Sequence, residues 1–399
     1  MRASSGPLFA LAAALSGASP ALGVTLERTF LEPSATPGSL FGEAVSMAGS
    51  NLLVGAPRAN SGANGAGAAH LYDAGTGALI RSFPNPAPVI LDQFGLAVAV
   101  SGTHVLIGEP LDDAGDSAAG QAHLYALSTG NLLRSWANPS PLENERFGNS
   151  VALTPSRALV GAPRANTAVV GAGEVHVFLL STLASERVLT RPGAVRDDRF
   201  GSAIATVGEL ALIGAPQADP GARNSGEALL VDLPTGNILR TFTNPTPASN
   251  DNFGLSLTLS TQYALIGAPL DDQGARDAGA AHLFDLATGA LLFSFLNPTP
   301  SAGDQFGLSV ALFGDFALIG EPFDDTGGTD AGAVHIFDLA GGELLASLFG
   351  PDPAGGIQLG KSVALNDDWA VAGAPQGPTA EGTARAGAVV VWGDATPPD

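Results

Sequence analysis

The chain has 399 residues, 45% of them hydrophobic, enough to bury one large core or two to three small ones. Acids outnumber bases 38 to 17, and the resulting formal charge of -21 repels phosphate backbones and anionic membranes, which excludes nucleic acid as a natural partner. Cysteine is absent, which excludes disulfides, thiolate nucleophiles and cysteine-ligated metals.

The start, MRASSGPLFALAAALSGASPALG, has a basic residue, an apolar run from Leu8 to Leu15 and small residues near Ala18 to Ala21. That order predicts a secretory signal peptide over 1–23 and a soluble, secreted or periplasmic product. The apolar run is too short to span a bilayer, and no later stretch is long enough, so no membrane insertion is expected. The lack of a proline-free Asn-X-Ser/Thr sequon fits a bacterial source.

From residue 24 onward the chain repeats. Glycine recurs at Gly42, Gly95, Gly148, Gly201, Gly254, Gly307 and Gly360, each 53 residues after the last, behind Phe in six copies and behind Leu359 in the seventh. The Gly-X-Pro pairs from Gly55/Pro57 to Gly373/Pro375 keep the same step. Within a unit, FGLSVALF, YALIGAP, GAAHLFDL and ALLFSF are apolar runs bounded by Gly, Pro, Asn and Ser, which predicts four strands and no helix. Seven such units predict an all-β, seven-bladed β-propeller with four antiparallel strands per blade, occupying 24–399 as one domain. The seventh unit ends after its third strand, AGAVVVWGD, while LERTF (Leu26 to Phe30) lies 53 residues before LIRSF. The N-terminal strand is therefore expected to complete the last blade and close the ring.

The pairing of Phe-Gly with GAP or GEP, followed by AGAAHLYD or AGAVHIFD, resembles the FG-GAP repeat of integrin α-subunit propellers and related bacterial exported proteins. The resemblance covers the repeated part of the chain and implies a propeller whose long-loop face recognises partners. It also implies a calcium loop of pattern D-x-D-x-D-G between FG and GAP. The segments at that place, such as SGTH, TPSR and NDDW, are too short and too poor in acids to wrap an ion that needs six to eight oxygens, and Asp367 and Asp368 do not restore the pattern.

Short turns join strands one to two and three to four, so both lie on one face; the longer loops share the other, where function is expected. That face reads as acidic and lopsided. Loops LDDAGD, LDDQGARD and FDDTGGTD carry Asp112, Asp113, Asp116, Asp271, Asp272, Asp277, Asp324, Asp325 and Asp330. The blade-connecting loops add Asp92, Glu145, Asp198, Asp251 and Asp304, whereas blades one and three carry Arg58 and Arg164. Three readings stay open for the paired aspartates: turn residues bonded to backbone N–H groups, a calcium site at Asp271, Asp272 and Asp277 or at Asp324, Asp325 and Asp330, and direct contact with a basic partner.

His70, His123, His176, His282 and His335 fall at one position of the third strand in five blades, too far apart around a ring to share one metal ion. They are expected to form hydrogen bonds between blades. Glu109 and Glu321 replace the Ala of GAP; each is expected to be half-exposed beside its aspartate pair, bonded to backbone, or in contact with a metal or ligand. Nearly opposite in the ring, they cannot form the carboxylate pair of a glycosidase. No P-loop, HExxH or GxSxG motif occurs.

The sequence thus predicts a monomeric, non-enzymatic scaffold that recognises an extracellular protein or glycan through Glu109, Asp112, Asp113, Asp271, Asp272, Glu321, Asp324 and Asp325. No cofactor is required; calcium is the one the loops could hold. Two alternatives remain: a polysaccharide lyase or hydrolase acting at the central channel, and a purely structural surface or matrix component.

Overall fold

The computed structural model describes residues 23–34, 36–166, 169–351, 355–377 and 385–394. Residues 1–22 of the expected signal peptide lie outside them. The described residues form seven four-stranded sheets in which consecutive strands pair antiparallel. Blade two shows the plan: Ala97–Val100, His104–Glu109, Gln121–Ala126 and Leu132–Ala137.

The middle strands are apolar without alternation because both their faces are covered. Each core cluster is shared by two neighbouring blades. One joins Leu53, Leu71 and Phe83 of blade one to Val98, Ile107 and Tyr125 of blade two. Another joins Leu52 and Tyr72 of blade one to Val371 and Val391 of blade seven, so the ring is closed by a core of the same kind. No blade could bury its apolar faces alone.

The recurrent Phe, Gly and Pro positions act at these interfaces. A Cβ on Gly55 would overlap the carbonyl oxygen of Gly95, and the same holds for Gly108 on Gly148, Gly214 on Gly254 and Gly373 on Gly42. The Gly of each GAP or GEP therefore lets the next blade's Phe-Gly backbone approach, and the last pair spans the ring closure. The Phe of each Phe-Gly is almost wholly buried, from Phe41 to Phe306, and Phe94 accepts its place by donating its N–H to the Ala66 carbonyl of the preceding blade at 3.0 Å.

Closure by the N-terminal strand is as expected. Val24–Leu31 pairs antiparallel with Ala388–Asp394, completing the sheet that also holds Ser362–Leu365 and Trp369–Ala374. Phe30 packs on Tyr72 of blade one at 5.0 Å between ring centroids, as Phe83 packs on Tyr125 at 5.0 Å one blade later. Arg28 donates to the carbonyl oxygens of Ala74 and Gly75 at 2.7 and 2.8 Å, and Arg187 and Arg240 make the same reach to the next blade.

The first strands of all seven blades surround an axial channel of about 380 Å³. Its wall is Val, Ala, Leu, Ile and Met, with Ser46, Thr206 and Thr258 the only polar residues among those lining it. The alternative of a lyase or hydrolase acting at the channel needs ionisable groups that this wall does not carry.

Candidate functional site

The long-loop face is less acidic than its sequence. Asp92, Glu145, Asp198, Asp251 and Asp304, expected on that face, are 0 to 3% exposed. Each closes its blade-connecting loop from inside. Asp92 accepts the Val89 N–H at 2.5 Å and the Asn85 amide at 3.1 Å; Asp304 accepts the Ser301 N–H at 2.6 Å and the Asn297 amide at 2.8 Å. In blade four, Arg191 takes the place of the asparagine and pairs with Asp198 at 3.0 Å and with Glu227. Burial holds Asp92, Asp198 and Asp304 above the usual carboxylate range and takes Asp251 up to about 6, while the backbone N–H in each loop pulls the other way.

The paired aspartates divide. The first of each pair, Asp112, Asp271 and Asp324, is buried, and its Oδ1 accepts the N–H two residues on, at 2.7, 2.8 and 2.9 Å. The second, Asp113, Asp272 and Asp325, is exposed, and its Oδ1 accepts the N–H five residues on, at 2.8, 2.9 and 2.8 Å. Asn60, Asn166 and Asp219, at the same repeat position, make the same bond to Gly65, Gly171 and Asn224. The residue that donates its N–H is left-handed in every case, including Ala118, Asp277 and Asp330, at φ values of 49° to 67°. Asp277 and Asp330 thus stand where blades one to four use Gly, Ala or Asn. A calcium ion at either proposed triad would compete with these backbone bonds for one oxygen of each pair member. The short turns between first and second strands do not fit the calcium loop of the resembling family, since the described segments there carry at most the adjacent Asp367 and Asp368.

Glu109 and Glu321 are neither half-exposed nor bonded to backbone: they are 1% and 0% exposed and held by side chains. Glu109 accepts from the Asn85 amide, and its Oε2 lies 2.6 Å from Nε2 of His123. Glu321 repeats this with Asn297 and with His335 at 2.7 Å. The carboxylate oxygens of Asp92, Glu109 and Asp112 come within 4.8 Å of one another. Burial, then Asp112 and Asp92, push Glu109 up to about 9; burial, then Asp324 and Asp304, do the same to Glu321. Burial pushes His123 and His335 down to about 4. Both shifts favour a neutral pair with one proton between Oε2 and Nε2. Glu109 and Glu321 stay in their own blades and do not converge.

The histidines bond within their blades, not between them. Nδ1 of His70, His123, His282 and His335 faces the serine of the adjacent outer strand at 2.8 to 2.9 Å. Where Ala replaces Glu109, as at Ala56 and Ala268, Nε2 of His70 and His282 has no partner among the described residues. His176 takes Glu174 at 2.7 Å.

Sequence reasoning named Arg164 on the long-loop face but passed over Arg146 and Arg199. Arg146, Arg164 and Arg199, from three successive long loops, gather beside a cavity of about 240 Å³ lined by Arg164, Arg199, Asn144, Asn166, Glu143 and Asp197. It also passed over Val89, Ile90 and Leu91, which are 51, 65 and 50% exposed in the loop between blades one and two. Reading the residue before each Phe-Gly across the repeat would have shown Arg146 and Arg199 among Gln, Asn and Leu.

Five segments, 29–72, 91–125, 184–231, 241–284 and 299–337, match the family described as FG-GAP repeat and together cover slightly more than half of the sequence. No curated protein matches the chain.

Proposed function

Because the chain belongs to the FG-GAP repeat family, whose propeller is a general scaffold and binding fold, we propose that it is an exported, non-enzymatic recognition protein that holds a protein or glycan on its long-loop face. The observation that carries this reading is the construction of the loops. In six blades an Asn or Asp fixes the same left-handed turn through the same bond, while the four residues between vary from Ser-Gly-Ala-Asn in blade one to Ala-Gly-Asp-Ser in blade two and Gln-Gly-Ala-Arg in blade five. A constant frame with variable tips suits recognition, because the tips are ordered before a partner arrives.

Charge supports the same face. Asp113, Asp272 and Asp325 are exposed on blades two, five and six, and the apolar Val89 to Leu91 are exposed in the loop between blades one and two. A glycan array and a pull-down, each run with calcium and with chelator, test the reading. Binding that is lost when Gln273 to Arg276 or Ala114 to Ser117 is replaced by Gly-Ser residues supports it; binding to nothing under both conditions overturns it.

A further inference from the structure

We infer that the loops of blades three and four form a cationic notch that takes the carboxylate of a sugar acid. This rests on the reading of the long-loop face as a recognition surface. Arg164 and Arg199 line the notch, and Arg146 lies near enough to feel the charge of both.

Three guanidiniums gathered on a protein of charge -21 call for an explanation. None of the three lies within 4.0 Å of a carboxylate among the described residues, although Arg157, Arg191, Arg196 and Arg276 all do. Of the neighbouring acids, Glu145 holds the Asn138 amide at 2.7 Å, and Asp197 lies 3.5 Å from Arg196 while its charge also acts on Arg199. Arg146 is held below the usual arginine range by burial first and then by the charges of Arg164 and Arg199; burial and Arg164 do the same to Arg199, against the opposing charge of Asp197. Like charges held together in half-buried positions favour an anion between them.

The loop frame fixes the backbone at Arg146 and Arg199. Arg146 and Arg199 sit at φ of 59° and 58°, and their N–H groups donate to the carbonyls of Ala118 and Gly171 in the preceding blade at 3.1 Å each. Leu40, Gln93, Asn252, Gln305 and Gln358 occupy the same left-handed position in the other blades, so the fold does not require arginine there.

The remaining walls select the ligand. Asn144 Oδ1 accepts from Arg146 Nε at 3.2 Å and Asn166 Oδ1 accepts the Gly171 N–H at 2.9 Å, which among the described residues leaves both amide nitrogens as donors. Glu143 and Asp197 stand among the lining residues as acceptors. A fork of guanidiniums matches one carboxylate, and the rim carboxylates repel a polyanion but accept hydroxyl hydrogens. A monocarboxylate bearing hydroxyls, the size of one sugar ring, meets all of these.

The test titrates the full chain with D-glucuronate, with D-glucose and with inorganic sulfate at constant ionic strength, read by isothermal calorimetry or ligand-observed NMR. Saturable glucuronate binding, absent for glucose and weakened at least tenfold in Arg164→Gln/Arg199→Gln, is expected. The paired substitution should leave the melting temperature unchanged or raise it, since it relieves repulsion; a fall would indicate a structural role and overturn the proposal. Equal binding of glucose, a sulfate affinity above that of glucuronate, or retention of binding in the double variant would also overturn it. A glycan-array ligand held equally by wild type and double variant sinks the notch and leaves the recognition face standing, whereas glucuronate binding without any array or pull-down partner does the reverse.

Discussion

Glu109 and His123 lie 2.6 Å apart inside blade two, each almost completely removed from water, and Glu321 and His335 repeat the pair at 2.7 Å in blade six. Their titration links stability to pH. A glutamate held near 9 in the fold but near its ordinary value when unfolded binds its proton more tightly in the native state. Its stabilisation is complete below about pH 4.5 and is lost as pH rises towards 9, by at most about 1.4 kcal/mol per pH unit for each residue. The buried histidines, held near 4, act oppositely: folding excludes their proton, so stability falls as pH drops from about 6.5 to 4. Glu109→Gln keeps both bonds, since its amide can donate to Nε2 and its oxygen can accept from Asn85. It should about halve the alkaline loss of melting temperature between pH 6 and 9, and an unchanged slope would show that Glu109 is ionised in the fold.

The glycine pairs carry the blade-to-blade contact. Gly214→Ala drives a Cβ into the Gly254 carbonyl, a clash with backbone that no side chain can relieve. A loss of about 3 kcal/mol is expected. Gly102→Ala meets open space in a short turn and should change stability by less than about 0.5 kcal/mol. Chemical denaturation of both variants measures the contrast.

Deleting residues 24–31 removes the outer strand of blade seven together with Phe30 and Arg28, which bind blade one. The strand Ala388–Asp394 would become an open edge. Lower thermal stability and concentration-dependent association are expected in calorimetry and size-exclusion chromatography, and a monomer of unchanged melting temperature would contradict the closure.

Asn60 and Asn166 do in blades one and three what Asp272 and Asp325 do in blades five and six. Asp272→Asn and Asp325→Asn should therefore fold and melt like the wild type, with or without chelator. A chelator-sensitive wild-type transition that disappears in these variants would instead place calcium at the loops.

How much of this could be read from the sequence differs between backbone and side chains. The step of 53 residues, kept from Gly42 to Gly360, imposes one chain path on every unit, and LERTF in phase with LIRSF assigns the closing strand. Period and turn chemistry are local properties, so blade number, strand order and the identity of the long-loop face follow from sequence alone. Burial is not local. Asp92 and Asp113 both sit in polar, Gly- and Pro-rich loops, yet one is 1% exposed and the other stands in solvent, because the blade-connecting loop folds inward onto Asn85 while the tip at Asp113 turns outward. The same holds for Glu109, which draws its partners from residues 24 positions before and 14 after it. The tertiary structure alone decided which acids became internal props and which remained free for a partner, because desolvation of a carboxylate depends on what the neighbouring strands and loops place against it.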